Sequence, residues 1–431
     1  MADDSDTRMP NHRAAAMRGR DPHEPHRQAT PLELLFDLTF VISFGIASSQ
    51  LAHLVAEGHY AAGIWAFLFA MFAICLAWID FSWFASAFDT DDWIYRLMTM
   101  VQMIGVLIFA MGLPAWFESI DHGEHVDLTL MVSGYVVMRV ALVTQWLQAA
   151  RQYPGGRTAC LIYAAWTVVA QIGWTLLIFL DLSIPTAAIL IVALSLFELP
   201  ASVVAERRGE GTPWHAHHIA ERYGLLAIIA LGEGLFGTVA SISAVVEHQG
   251  WNADAILICV AGVGLTFGMW WDYFIMPSAQ VLNVDRERSY VWGYAQILLF
   301  GSIAATGAGL HVAAYYIENE AHIGSVAVVL SVAIPVAVFI LSKYALYTYM
   351  VNERDLFHVW LISITTVLLV LPVLCAAWGV GMATCLVILM FAPIVTVIGY
   401  ETIGYKHGNR ALLKNYAIRH PEAVAKLSGE G

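Results

Sequence analysis

Long apolar stretches recur along almost the whole chain, and this pattern limits the fold more than any other feature. A helix needs about 20 mostly apolar residues to cross the hydrocarbon layer, where lipid offers no partner for backbone N–H and C=O groups. Only 13% of the residues are charged, about half the share usual in soluble proteins. We therefore predict an all-α membrane protein with about twelve transmembrane helices. The predicted spans cover residues 32–56, 61–87, 93–117, 127–150, 158–181, 184–204, 219–246, 253–276, 289–316, 323–343, 357–377 and 380–402.

The basic residues give an independent test of this count, because short cytoplasmic segments of membrane proteins are enriched in Lys and Arg. All 21 Lys and Arg residues except Arg139 fall in every second connecting segment, beginning with the N-terminal one, or at the span ends beside it. The intervening segments and the span ends beside them carry acids instead, among them Glu118 and Asp254. This alternation predicts that both termini lie in the cytoplasm.

Outside the spans, residues 1–31 form a polar leader that we predict to be disordered, without a cleavable signal peptide. The tail, residues 403–431, is predicted to be cytoplasmic, either an amphipathic helix along the membrane or a solvated segment. The spans divide into two six-helix halves, residues 32–204 and 219–402. Similar motifs, Trp78-Ile-Asp-Phe81 and Trp270-Trp-Asp-Tyr273, end the second helix of each half. They predict two repeats in parallel orientation.

Ionisable residues inside spans are costly and usually face the interior of a helix bundle. One interpretation is a polar cavity open to the cytoplasm, in which carboxylates bind a cation or relay protons and an arginine binds an anionic group. The other is a set of buried ion pairs that fix helix packing. The candidate substrate- or ion-binding residues are Glu33, Asp37, Asp80, Arg139, Glu198, Arg222, Glu233 and Asp272.

A histidine-rich segment precedes the seventh span. If it is helical, His217 and His218 lie four and three residues before Glu221, a spacing that can present a metal ion. A pH-sensitive cytoplasmic cap or a polar helix start has the same pattern. The five cysteines all lie in apolar stretches without a close pair, which predicts no disulfide framework. The sequence identifies no cofactor.

The chain resembles the bacterial low-temperature-requirement A (LtrA) family from about residue 28 to residue 400. The resemblance is carried by TPLELLFDLTFV at 30–41, DTDDWIYR at 89–96, YVVMR at 135–139 and HIAERYGLLAIIALGE at 218–233. It implies a multi-pass protein of the bacterial inner membrane. It also implies that Glu33, Asp37, Arg96, Arg139, Glu221, Arg222 and Glu233 are characteristic polar positions of the family. The family is named for a growth phenotype in the cold, so the resemblance implies no reaction.

Three classes of function are compatible with these features. A transporter or channel for an ion or small polar solute would use the intramembrane acids and Arg139. An intramembrane, metal-assisted enzyme acting on lipid would need several histidines and acids at one depth, and no Gly-x-Ser-x-Gly or His-Glu-x-x-His motif is present. A membrane scaffold or sensor linked to cold growth is the third. We expect transport rather than catalysis, with the lipid bilayer and a small solute as partners and no nucleic acid.

Overall fold

The computed structural model describes residues 15–22, 24, 27–123, 125–180, 182–352 and 356–405. These residues form helices and connecting turns without a β-strand. The helices are α1 (Pro31–Ala56), α2 (Tyr60–Phe88), α3 (Trp93–His122), α4 (Thr129–Gln152), α5 (Arg157–Ile178), α6 (Ile184–Glu198), α7 (Pro200–Glu206), α8 (Ala216–Gln249), α9 (Ala253–Phe274), α10 (Ser278–Val284), α11 (Ser289–Ile317), α12 (Ser325–Val351), α13 (Leu356–Ala377) and α14 (Met382–Gly399).

The predicted count of twelve spans is confirmed, because twelve helical segments within the described ranges are long and apolar enough to cross a membrane. Two of these segments are interrupted. The sixth, Ile184–Glu206, consists of α6 and α7, and the eighth, Ala253–Val284, consists of α9 and α10. Pro200 begins α7, and a proline at this point has no N–H to continue the hydrogen-bond ladder of α6.

Polar residues fix where individual helices begin and end. Asp92 caps α3 by accepting a hydrogen bond from the Tyr95 amide at 2.9 Å, and Asn252 caps α9 in the same way through Ala255 at 3.0 Å. Such caps satisfy amides that have no partner within the helix. The start of α1 is a capping box. The Thr30 hydroxyl accepts from the Glu33 amide, and the Glu33 carboxylate accepts from the Thr30 amide at 2.7 Å.

The chain forms two compact units. The first comprises the described residues up to Ser43 together with Ala77–Ile219, and within it α3 packs on α4, α4 on α5, and α5 on α6 and α7. The second comprises Phe44–Leu76 and the described residues from Ala220 onward, and within it α11 packs on α12, α9 on α14, and α13 on its two neighbours α12 and α14. The division falls inside α1 and α2 rather than between the predicted halves, and the repeat stays a prediction.

Helices α3 and α4 are in backbone contact through glycines. A Cβ added to Gly134 of α4 would lie 2.2 Å from the Phe109 nitrogen of α3. One added to Gly112 of α3 would lie 2.4 Å from the Met131 nitrogen of α4. No side chain fits in either gap, so glycine is needed at both positions for the two backbones to approach this closely.

The described part of the N-terminal leader departs from the expected disorder. Met17 is buried, its amide donates to the Gln152 side chain at 2.6 Å, and the Arg20 amide donates to the Ala87 carbonyl at 2.9 Å. These contacts order a segment whose polar composition alone does not predict packing. The predicted tail helix lies mostly outside the described residues, which end with a π-helical turn, Tyr400–Gly404, and Tyr405.

Candidate functional site

Arg139 is the centre of a buried polar cluster in the first unit. Its guanidinium donates to Asp80 of α2 and, at 2.5 Å, to the Tyr135 hydroxyl one turn away, and it lies 3.5 Å from a Glu198 oxygen. Glu198 in turn accepts hydrogen bonds from Tyr135 at 2.8 Å and from the Trp174 indole. The structure thus brings together three members of the larger candidate set that the sequence indicated.

These contacts form an ion-pair network across α2, α4, α5 and α6. Only 2% of the Arg139 side chain and 8% of the Glu198 side chain is exposed. Two carboxylates share one guanidinium, and the hydroxyl and the indole supply further donors. Buried ion-pair networks of this kind fix helix packing, and removal of one member leaves another charge buried without its partner. This geometry corresponds to the second interpretation of the intramembrane charges for Asp80, Arg139 and Glu198.

Glu33 and Asp37 are fully buried in the first unit. Glu33 closes the capping box of α1 and lies 3.2 Å from the Nε2 atom of His218. Asp37 accepts a hydrogen bond from the Trp78 indole at 2.6 Å. The capping box was readable from the Thr-x-x-Glu spacing before an apolar run, whereas the contact with His218 joins residues 185 positions apart and has no local signal.

The predicted metal site at His217, His218 and Glu221 is not formed. His218 is buried beside Glu33, whereas His217 and Glu221 are exposed. Within the described ranges, no three or more His, Cys, Asp or Glu side chains are placed to hold a metal ion. The spacing put the three side chains on neighbouring turns, but it could not show that His218 faces the interior and the others face outward.

The second unit contains an ion pair that the sequence analysis missed. Asp272 of α9 accepts a hydrogen bond from Lys343 of α12, and both side chains are at least 97% buried. The Lys343 ammonium also lies 5.6 Å from the Tyr344 ring centroid and 6.0 Å from that of Tyr347. The predicted tenth span ended at Lys343, but α12 continues to Val351. The apolar residues after Lys343 were the available signal.

The two ion pairs occupy corresponding places in the predicted halves. Asp80 and Asp272 lie in the second span of each half, and Arg139 and Lys343 lie in the fourth. Each acid thus pairs with a cation two spans further along the chain. This correspondence agrees with the predicted repeat. Arg222, another candidate, is fully buried near the start of α8.

Glu233 differs from every other acid in this set. It lies near the middle of α8, and only 5% of the residue is exposed. No described residue donates a hydrogen bond to its carboxylate or forms an ion pair with it. Two glycines from other helices lie against it. One carboxylate oxygen would lie 3.1 Å from a Cβ on Gly45 of α1, and Gly307 of α11 packs against the Glu233 backbone.

Comparison with known proteins identifies one family. The sequence profile described as Bacterial low temperature requirement A protein (LtrA) matches residues 28–393. The chain is 26% identical over 293 residues to an uncharacterized protein of Rhizobium meliloti (strain 1021), an alignment that covers 64% of this chain and 67% of that protein. No solved structure matches the chain.

Proposed function

Because the chain belongs to the bacterial LtrA family of multi-pass membrane proteins, whose name describes no reaction, we propose a function from the buried charges themselves. The protein is a transporter of an ion or small polar solute, and Glu233 takes up and releases a proton or small cation during transport. It lies in the bacterial inner membrane with both termini in the cytoplasm, in keeping with the distribution of Lys and Arg.

The observation that carries this proposal is the contrast between Glu233 and the other intramembrane acids. Asp80, Glu198 and Asp272 each contact a cationic side chain. A carboxylate ion held in apolar surroundings without such a partner costs several kcal/mol. A proton or a bound cation removes that cost. An acid whose partner comes from outside the protein is suited to exchange that partner between the two sides of a membrane.

The glycines around Glu233 support the same role. A side chain at Gly45 would crowd the carboxylate oxygen, since its Cβ would lie only 3.1 Å away. Small residues around a buried acid leave room for a solute to approach it closely.

Flux measurements in proteoliposomes test the proposal. The purified protein is reconstituted with a pH-sensitive dye inside, a potassium diffusion potential is imposed with valinomycin, and sodium uptake is followed separately. We expect proton or sodium flux above that of protein-free vesicles, and loss of that flux in Glu233→Gln. The matched control is Glu247→Gln, which removes an exposed acid from the same helix. Equal flux in Glu233→Gln and wild type would refute the role of Glu233.

Chemical labelling gives a second readout that does not depend on knowing the solute. Hydrophobic carbodiimides react with protonated carboxyl groups in apolar surroundings. We expect labelling of the α8 peptide that contains Glu233, decreasing as the pH is raised and absent in Glu233→Gln. Labelling confined to exposed acids such as Glu247 would contradict the proposal.

A further inference from the structure

A groove between α4 and α5 in the first unit has a volume of about 400 Å³, within the range of small-molecule sites. The groove is lined by one face of each helix. The lining residues are spaced i, i+1, i+4 and i+5 on α4, and i, i+3, i+4, i+7 and i+8 on α5. The lining residues Val140, Ile172 and Leu176 are each more than half exposed. Since these apolar side chains belong to spanning helices, the mouth of the groove faces lipid.

The floor of the groove is polar and incompletely hydrogen-bonded. Gln171 lines it and is 92% buried, yet neither its amide nitrogen nor its amide oxygen has a partner. The Nε–H group of Arg139, which also lines the groove, has no partner either. Both residues lie well inside their helices. An unpaired polar group in hydrocarbon costs several kcal/mol, and water is not available there to satisfy it.

From this geometry we propose that the groove binds a single-chain lipid, a long-chain carboxylic acid in its neutral form. The hydroxyl of the acid donates to the Gln171 oxygen, and its carbonyl accepts from the Gln171 amide nitrogen and the Arg139 Nε–H group. The aliphatic chain lies along the valine, isoleucine and leucine side chains of the groove. This site is separate from Glu233 and does not depend on the proposed transport function.

Charge determines the form of the head group. Arg139 already faces two carboxylates, Asp80 and Glu198. An anionic head would add a third negative charge to one guanidinium in a medium that does not screen it. A neutral head with one donor and one acceptor instead complements the primary amide of Gln171, which offers one acceptor and a donor.

Photolabelling in proteoliposomes tests the site. The probe is a hexadecanoic acid that carries a diazirine on its chain, with the corresponding alcohol and methyl ester as comparison arms. We expect the acid to label peptides of α4 and α5 in preference to other lipid-facing helices. The methyl ester, which has no donor, should label them about tenfold less, equivalent to about 1.4 kcal/mol. The alcohol should fall between the two.

Variants connect the labelling to the groove. Gln171→Leu should reduce labelling by the acid to the level of the ester. Val169→Leu, at an exposed position of α5 that does not line the groove, should leave it unchanged. If Gln171→Leu is poorly folded, Val168→Phe fills the groove from its exposed wall and should have the same effect. Labelling spread evenly over lipid-facing helices, or unchanged in the folded variants, would overturn the proposal. So would cross-linking of two chains through Val168→Cys, because a second copy would then cover the groove.

Discussion

Replacing Lys343 with Met would leave the Asp272 carboxylate buried without its counter-charge. The Asp272 side chain is fully inaccessible and that of Lys343 is 3% exposed, so solvent screens neither group. Loss of one member of a buried pair costs about 3–5 kcal/mol, whereas replacing both members with apolar residues is often close to neutral. We therefore expect Lys343→Met to lower the free energy of unfolding by about 3–5 kcal/mol.

Replacing Asp272 instead should lower the free energy of unfolding by a smaller amount, because Lys343 has other partners. In Asp272→Leu the ammonium keeps the rings of Tyr344 and Tyr347 at 5.6 and 6.0 Å, and a desolvated cation–π contact offsets about 2 kcal/mol. We expect a loss of about 1–3 kcal/mol. The double variant should lie within about 2 kcal/mol of the wild type, so the two effects are far from additive.

Unfolding by SDS in mixed micelles, followed by circular dichroism, measures all four members of this cycle. Leu341→Ala is the control, because Leu341 lies on α12 but is 54% exposed toward the surface. It should change stability little. If the double variant lost as much stability as the two single variants together, the pair would not be coupled. The reasoning about buried charge would then be refuted.

Two further predictions concern pH and packing. Burial raises the pKa of Asp89, which follows the α2 span, to about 6 from the ordinary 3.8, and the charge of Glu33 adds to the rise. The folded protein then holds this proton more tightly than the unfolded chain, so the free energy of unfolding falls as pH rises from about 4 to about 6, by at most about 3 kcal/mol. In Asp89→Asn this part of the pH dependence of unfolding should vanish. An unchanged dependence on pH in that variant would contradict the assignment to Asp89. In Gly307→Ala the new Cβ would lie 2.6 Å from the Glu233 carbonyl carbon. SDS unfolding should therefore show that the free energy of unfolding is lower by about 1–3 kcal/mol. The control Gly232→Ala, with open space around its Cβ, should be nearly neutral.

The spans could be predicted from the sequence because membrane insertion depends on the summed hydropathy of a local segment. The same locality explains why Glu233 could be recognised as an acid inside a span, since it lies in the middle of its apolar run. Lys343 was missed because one charged residue was taken as the end of a span, although the apolar residues continue to Val351. A partner elsewhere in the fold neutralises that charge, and a local hydropathy sum contains no information about it.

The pairing of polar side chains was beyond the sequence for a different reason. Asp80 and Arg139 are 59 positions apart, and His218 and Glu33 are 185 apart. Such contacts depend on which helices pack together and on how each is rotated about its axis. The spacing of His217, His218 and Glu221 predicted a shared position on the helix surface but not which side of the helix is buried. The candidate residues were therefore predictable as a set, whereas their grouping into separate clusters was not.

The glycine contacts between α3 and α4 have a mechanical consequence. Gly134 contacts the Phe109 backbone, and Gly112 contacts the Met131 backbone. If one helix slid along the other, the residue next to each glycine would bring its Cβ into a gap that has room only for hydrogen. Helix surfaces that are packed this closely do not deform gradually. Any rearrangement of the first unit must therefore carry α3 and α4 as a single stiff body, with bending confined to other joints, such as the break at Pro200 between α6 and α7.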